Sequence, residues 1–347
     1  MIQTDRRTDD AIAAALSRIR TRAEPLGGGF ARLADAIGRA ASGGKRLRPA
    51  LVTASFAAFG GRCDDTPAVF PVAAAFELLH TAFVVHDDVI DHDTLRRGVP
   101  NVAGEFRLLA GARGADAEGQ ETLGDAAAIL AGDLLLHEAS RLIATAEVDA
   151  VTRERLFALY DDAVYVSAAG ELADVEHAVS DDCPDTSSIL DATFNKTAVY
   201  SFRAPLQAGA ALAGASSSAL DAVGAAGGCL GLAFQLVDDL IGTFGTPAQT
   251  GRDVGVDLRE AKRTPVVALA RGTREWARVS DAIAVAHTGP VAIREAQRAL
   301  EASGARARVA ALVDETLADA AHAATALPGE ASALIDSLST AIRERIP

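Results

Sequence analysis

The sequence predicts an all-α protein, folded as a single-domain helical bundle over residues 1–347, and three observations lead there. Of the 347 residues 49% are hydrophobic but only 5% aromatic, so the core must be built largely from Ala, Leu and Val, and alanine is the strongest helix former. No run of Val, Ile or Thr alternates with polar residues between Asn-Gly or Asp-Gly turns, the pattern a strand-rich domain needs. Proline stands mainly at segment edges, and neither a fixed repeat nor a break in composition marks a second domain.

Taken in order, Ile12, Leu16 and Ile19 follow a charged stretch with the spacing of an amphipathic helix and without a secretory hydrophobic run. Pro49 suits the first turn of the next helix, which leaves Gly43, Gly44, Lys45, Arg46 and Arg48 in the loop before its positive end. Apolar periodicity predicts a long helix over residues 69–90, and Gly98 to Pro100 break the chain after it. Residues 110–124 are rich in glycine and read as a surface loop. Residues 126–145 and 153–177 are helical; Pro184 interrupts the polar segment before a helix that carries Lys196 and that Pro205 ends or kinks. The least charged stretch, 204–220, is too rich in Ala, Gly and Ser for a membrane span and reads as a core helix. A helix over 227–244 bears Asp238, residues 246–264 form a charged loop, Thr264-Pro265 cap the next helix, and helices fill the rest.

The formal charge of −14 argues against a nucleic-acid partner, because phosphate backbones reward clustered positive charge. Cys63, Cys183 and Cys229 show no CxxC spacing, which suits inert thiols in a reduced, cytoplasmic protein.

The chemistry concentrates at His86, Asp87, Asp88, Val89, Ile90 and Asp91, followed by Arg96 and Arg97. Asp87 and Asp91 stand four residues apart, so on a helix both carboxylates leave one face a turn apart and repel unless a cation offsets them. Hard carboxylate oxygens suit magnesium, which completes its octahedron with waters and substrate phosphates, and guanidinium forks alongside suit a diphosphate. Alone, such a triplet is more often a solvated face; here His80, Phe83, Val84 and Val85 make the same helix otherwise apolar. A similar pair recurs at Asp238 and Asp239. His80, seven residues before Asp87, shares its face, with a plain core histidine as the alternative. Lys196 on an apolar helix demands an anionic partner, whereas Thr197 and Gln235 are also readable as polar side chains satisfied by backbone. Glu77-x-x-His80 has the spacing of a di-iron bundle, but no second copy of the pattern completes it.

These residues together resemble the trans-prenyltransferase, or polyprenyl diphosphate synthase, family over nearly the whole chain. Gly44-Lys45-Arg46-Leu47-Arg48-Pro49 is similar to its GKRxRP loop, Asp87 to Asp91 to its first aspartate-rich motif, and Arg96-Arg97-Gly98 to the arginines that follow. Lys196-Thr197, Phe234-Gln235 and Asp238-Asp239 also match, in the family's order. The sequence departs at Gly242, where the second motif often has a third aspartate, and at Arg252, where many relatives have lysine.

The resemblance implies an isoprenoid synthase-like bundle around a central cavity, and magnesium, as three ions with bound diphosphate, on Asp87, Asp91 and Asp238, with Asp88 and Asp239 in support. It implies that Arg96, Lys196, Arg252 and Lys262 bind an allylic diphosphate, that Lys45, Arg48, His80 and Arg97 bind isopentenyl diphosphate, and that Thr197 and Gln235 face the passing carbocation. It further implies a homodimer. The growing chain would run down the helix that carries Asp87, where Phe83 narrows the path, Ala82 is small and Phe76 is the next bulky floor. That favours geranylgeranyl diphosphate, with a farnesyl or C25 product, a class I terpene cyclase or a non-catalytic synthase subunit as alternatives.

Overall fold

The computed structural model describes residues 5–180, 184–246, 249, 255–260 and 262–347. The fold is all-α, as the composition requires, and its helices gather in two compact units, one of residues 2–160 and 208–214, the other of residues 161–207 and 215–347.

In the first unit α1 (Arg6–Ala23) starts at Asp5, whose carboxylate accepts from the Arg7 amide at 2.9 Å, and buries Ile12, Ala15 and Ile19. Helices α2 (Gly28–Ala40) and α3 (Leu47–Ala58) follow, with Pro49 in the first turn of α3. The centre of the unit is α4 (Val69–Ile90), which ends at the acidic motif as the periodicity predicts. It is apolar on nearly every side because α1, α3 and α6 (Ala117–Ala144) pack around it. Phe76, Leu78 and Leu79 are fully buried, each contributing about 1.5–3 kcal/mol.

The expected loop at 110–124 is not one. Helix α5 (Val102–Ala112) and α6 fill most of it and leave only a short turn, where Gly114 takes φ 86° and Asp116 caps α6. Gly124 serves close packing: a Cβ there would stand 2.7 Å from the Ala103 carbonyl oxygen and 2.5 Å from Arg107 Cγ.

From the second unit α8 (Thr186–Thr193), a π-helical stretch (Phe194–Arg203) and α9 (Ala204–Leu212) run on without interruption, α9 carrying residues of both units. Pro205 therefore does not end the helix. The Ala204 amide reaches back five residues to the Val199 carbonyl, and this wider turn accommodates a ring that lacks an N–H and would crowd the carbonyl four residues back in a regular α-helix. Helix α10 (Ser217–Phe244) begins ten residues earlier than the periodicity suggests. It packs against the π-helical stretch, α15 (Ala305–Ala324) and α16 (Gly329–Arg343), while α11 (Val256–Arg259), α12 (Pro265–Arg271), α13 (Trp276–Ala284) and α14 (Pro290–Ala302) complete the unit. Thr264 holds the N-cap position of α12 without a capping hydrogen bond, so Pro265 alone marks that start. Helix α7 (Ala150–Val179) carries residues of both units.

Helices α4 and α10, not residues 204–220, are long and apolar enough to cross a membrane, yet 72% and 56% of their most apolar windows are buried inside the protein. That burial makes them core helices. Cys63 and Cys229 are free thiols, both raised by burial, which matches inert roles; Cys183 lies outside the described residues.

Gly124→Ala should force the α5–α6 pair apart and destabilise the protein by about 1–3 kcal/mol. Chemical denaturation checks this; an unchanged midpoint would contradict the close-packing role.

Candidate active site

In the first unit the acidic motif is organised by a hairpin. Beyond α4, strand β1 (Leu95–Arg96) pairs antiparallel with β2 (Val99–Pro100), and Arg97 and Gly98 turn the chain with φ 54° and 78°. Two left-handed residues in a two-residue loop match the natural twist of a hairpin, which fixes the register. Asn101 anchors the return strand, its amide nitrogen donating to the Asp93 carbonyl at 2.8 Å while its oxygen caps α5.

That register aims Arg96 at Asp88. Arg96 Nε and Nη2 both donate to one Asp88 oxygen, at 3.0 and 2.6 Å, and Nη2 also lies 3.8 Å from Asp87. Asp88 is thus the buried carboxylate of the motif, at 4% exposure, whereas Asp87 is half-buried and Asp91 exposed; the core-facing role expected for Asp87 and Asp91 falls to their neighbour. Burial raises the Asp88 carboxyl above its usual range against the pull of Arg96. Asp91 ends α4 in helical conformation, its amide donating to the Asp87 carbonyl at 2.8 Å, so the two carboxylates remain a turn apart.

A cluster of cationic side chains lies behind this edge. Arg97 reaches the Gly43–Gly44 loop: Cβ atoms there would stand 3.4 and 3.6 Å from its guanidinium nitrogens. Gly43, Gly44 and Arg46 all have positive φ, and Arg46 is tied to Glu77 at 2.9 Å and to the Ala41 carbonyl at 3.0 Å. The Glu77 of the di-iron-like spacing is therefore a structural anchor for the loop. Burial, then the charges of Arg48, Arg96 and Arg97, hold the His80 imidazole well below its usual value, so it is neutral beside three guanidinium groups. Lys45 is exposed at the rim. Behind the motif, His86 Nε2 sits 3.2 Å from the Ile129 carbonyl, in a notch that Gly132 leaves open on α6. Phe76 and Ala82 are fully buried and Phe83 half-buried on α4.

In the second unit Lys196 has the anionic partners its position demanded: Nζ donates to Glu171 at 3.0 Å and to Asp174 at 2.9 Å, both on α7. It stands in the π-helical stretch beside half-buried Thr197, and Gly170 lets α7 approach so closely that a Cβ would meet the Lys196 amide at 2.2 Å. On α10, Gln235 donates to Asp239 at 2.9 Å. Burial, with Asp257, Asp238 and Asp174 nearby, pushes the Asp239 carboxyl up to about 8 against that hydrogen bond. Asp238 accepts from Arg345. Lys262 is half exposed and 3.3 Å from Glu260; Arg252 lies outside the described residues.

Gly242, where a third aspartate was expected, faces the Asp257 carboxylate: a Cβ at 242 would stand 1.9 Å from Asp257 Oδ2. The acidic side chain near the second motif comes instead from α11, a different element. Sequence reading missed Asp257, Glu171, Asp174 and Arg345. Only the Glu171/Asp174 spacing on α7 offered a signal, since residues three apart share a helix face.

Among the described residues no three of His, Cys, Asp and Glu converge as a complete metal cage. The carboxylates present are single oxygen donors beside cationic side chains. They fit magnesium, which keeps waters and takes substrate phosphates, better than a metal held wholly by protein.

Comparison with known proteins agrees with this chemistry. The polyprenyl synthetase family model matches residues 31–300. The chain is 34% identical over 228 residues to the geranylgeranyl diphosphate synthase of Sulfolobus acidocaldarius, covering 65% of this chain and 62% of that enzyme, less than two thirds of its length. It is 33% identical over 232 residues to the geranylfarnesyl diphosphate synthase of Aeropyrum pernix, covering 66% and 67%. Its fold is similar to that of a geranylgeranyl pyrophosphate synthase from Corynebacterium glutamicum, solved in complex with isoprenyl diphosphate and magnesium, with a TM-score of 0.88, 27% identity and 97% of each chain covered. With the matched region extending over most of its length, the chain belongs to the polyprenyl synthetase family.

Proposed function

We propose that the protein joins isopentenyl diphosphate to an allylic diphosphate, head to tail, and releases geranylgeranyl diphosphate. The observation that carries this is the pairing of two unlike features in one unit, each suited to a diphosphate: carboxylates a turn apart beside Arg96, and the separate cluster of Arg48, Arg97 and neutral His80. A condensation needs two diphosphates, and a cyclisation needs one.

In this reading Asp87, Asp91 and Asp238 would hold magnesium, with Asp88 and Asp239 supporting them, and the bound metal supplies positive charge to the leaving diphosphate oxygens. Arg96, Lys196, Arg252 and Lys262 bind that diphosphate. Lys45, Arg48, Arg97 and neutral His80 hold isopentenyl diphosphate so that its double bond meets the allylic carbon as the carbon–oxygen bond breaks. Thr197 and Gln235 turn their dipoles on the resulting cation, and the released diphosphate takes the proton that leaves the condensed chain. Exclusion of water protects the cation from capture as an alcohol. We further propose a cytoplasmic homodimer; exposed Leu108, Leu123, Ile129 and Leu130 of the α5–α6 pair support an apolar partner surface.

Incubation of the pure protein with magnesium, labelled isopentenyl diphosphate and allylic primers tests the reading. Wild type should give a labelled prenyl diphosphate, and Asp87→Ala should lower kcat by roughly 10²–10³-fold with helicity unchanged; no product from wild type would overturn the assignment. Gly242→Asp, which restores the usual acidic triplet, should lower kcat by roughly 10²-fold because the new side chain displaces Asp257. Equal or higher activity would show that Asp257 is dispensable. Ala82→Phe should shorten the product to farnesyl diphosphate in chromatography, and unchanged length would remove α4 as the ruler.

A further inference from the structure

The turn that follows α16 sends a cation back into the second acid motif. Arg345 and Ile346 donate their amides to the Ile342 and Arg343 carbonyls at 3.1 and 3.2 Å, which curls the chain beyond α16. Arg345 Nη2 then donates to Asp238 Oδ1, and its guanidinium stacks 4.3 Å over the Phe234 ring, one turn before Asp238 on α10. Two residues on, the Pro347 carbonyl accepts from Arg306 Nη2 at 2.6 Å, and Arg306 in turn lies 4.9 Å over the Phe244 ring. The segment is thus held against both the motif and the far end of the same helix.

We propose that Arg345 is the resident counter-ion of Asp238 and that metal and diphosphate must displace it, so that the segment after α16 is a latch released by loading of the second motif. The proposal rests on the prenyl-transfer reading. A divalent ion and a guanidinium compete for the same carboxylate oxygen and repel each other at contact. The pair is built for release: its side chains remain 34% and 37% exposed, where an ion pair is weak, and Arg345 Nη1 is buried with no hydrogen-bond partner among the described residues. The guanidinium is therefore half-satisfied on Asp238. The Phe234 face and the Arg306 anchor give the segment a position to return to when the ligand leaves.

The test uses manganese as a paramagnetic stand-in for magnesium, with inorganic diphosphate and the full chain. Arg345→Ala should lower the half-saturating manganese concentration by about threefold to fivefold, Arg345→Lys by less, and Arg306→Ala should shift it the same way without touching Asp238. Amide hydrogen exchange of residues 344–346 in wild type should accelerate when manganese and diphosphate bind. An unchanged or raised metal requirement in Arg345→Ala, or a segment equally protected with both ligands bound, overturns the latch. If wild type makes prenyl product and Arg345→Ala matches it in metal binding, the latch alone fails. If wild type binds no manganese–diphosphate and makes no product, both proposals fail.

Discussion

The pair between Asp88 and Arg96 sets the geometry of everything around the first acid motif. A carboxylate at 4% exposure is costly to keep charged without a cationic partner, and Arg96, itself only partly buried, supplies one. Arg96 can reach Asp88 because a two-residue hairpin turns the chain immediately beyond α4. The same turn sends Arg97 the other way, to the Gly43–Gly44 loop. One structural ion pair thus places two neighbouring arginines in different surroundings and leaves Asp87 half-buried beside Arg96 and Asp91 exposed. The backbone contributes as well: Arg46, His92 and Arg97 are left-handed although none is glycine, each at a cost of roughly 1–2 kcal/mol, and all three border this site.

What could be read in the sequence divides along physical lines. The end of α4 was legible because a long apolar period stops at a charged stretch and a Gly-containing turn follows. The need of Lys196 for an anion was legible from its apolar surroundings; that Glu171 and Asp174 supply it was not, since they belong to another helix. Gly124 and Pro205 were misleading for one reason. Each was read by its effect on an isolated backbone, whereas here glycine permits close helix contact and proline is absorbed by a π-helical stretch. Asp257 was beyond reach, because it belongs to a different helix from the glycine whose missing side chain makes room for it.

Gly242 also changes the meaning of an incomplete motif. Judged on α10 alone, it subtracts a carboxylate. In the folded unit the Asp257 carboxylate stands where a side chain at 242 would be, so the charge near Asp238 and Asp239 comes from a different element. Lys262 follows close behind, its amide bonded to the Asp257 carbonyl at 2.9 Å, so this carboxylate and a candidate diphosphate-binding lysine are tied through one backbone hydrogen bond.

Concentrating carboxylates in a chain that already carries a net charge of −14 destabilises the folded state unless cations are at hand. The second unit meets this from its own sequence: Lys196 lies between Glu171 and Asp174, Arg345 lies on Asp238, and Asp239 is shifted up to about 8. The unit is in this sense self-neutralised. In the proposed reading, Lys196 would have to exchange its bonds to Glu171 and Asp174 for bonds to a diphosphate. Affinity is then the difference between two well-made sets of contacts, which favours a ligand that brings both anionic oxygens and divalent cations over one that brings either alone. A free diphosphate would leave the carboxylates stripped of their cations, and a free metal would leave the cations beside an added positive charge. Only the pair satisfies both, so in the proposed reading the internal ion pairs of this unit would also favour the metal-bound form of a diphosphate.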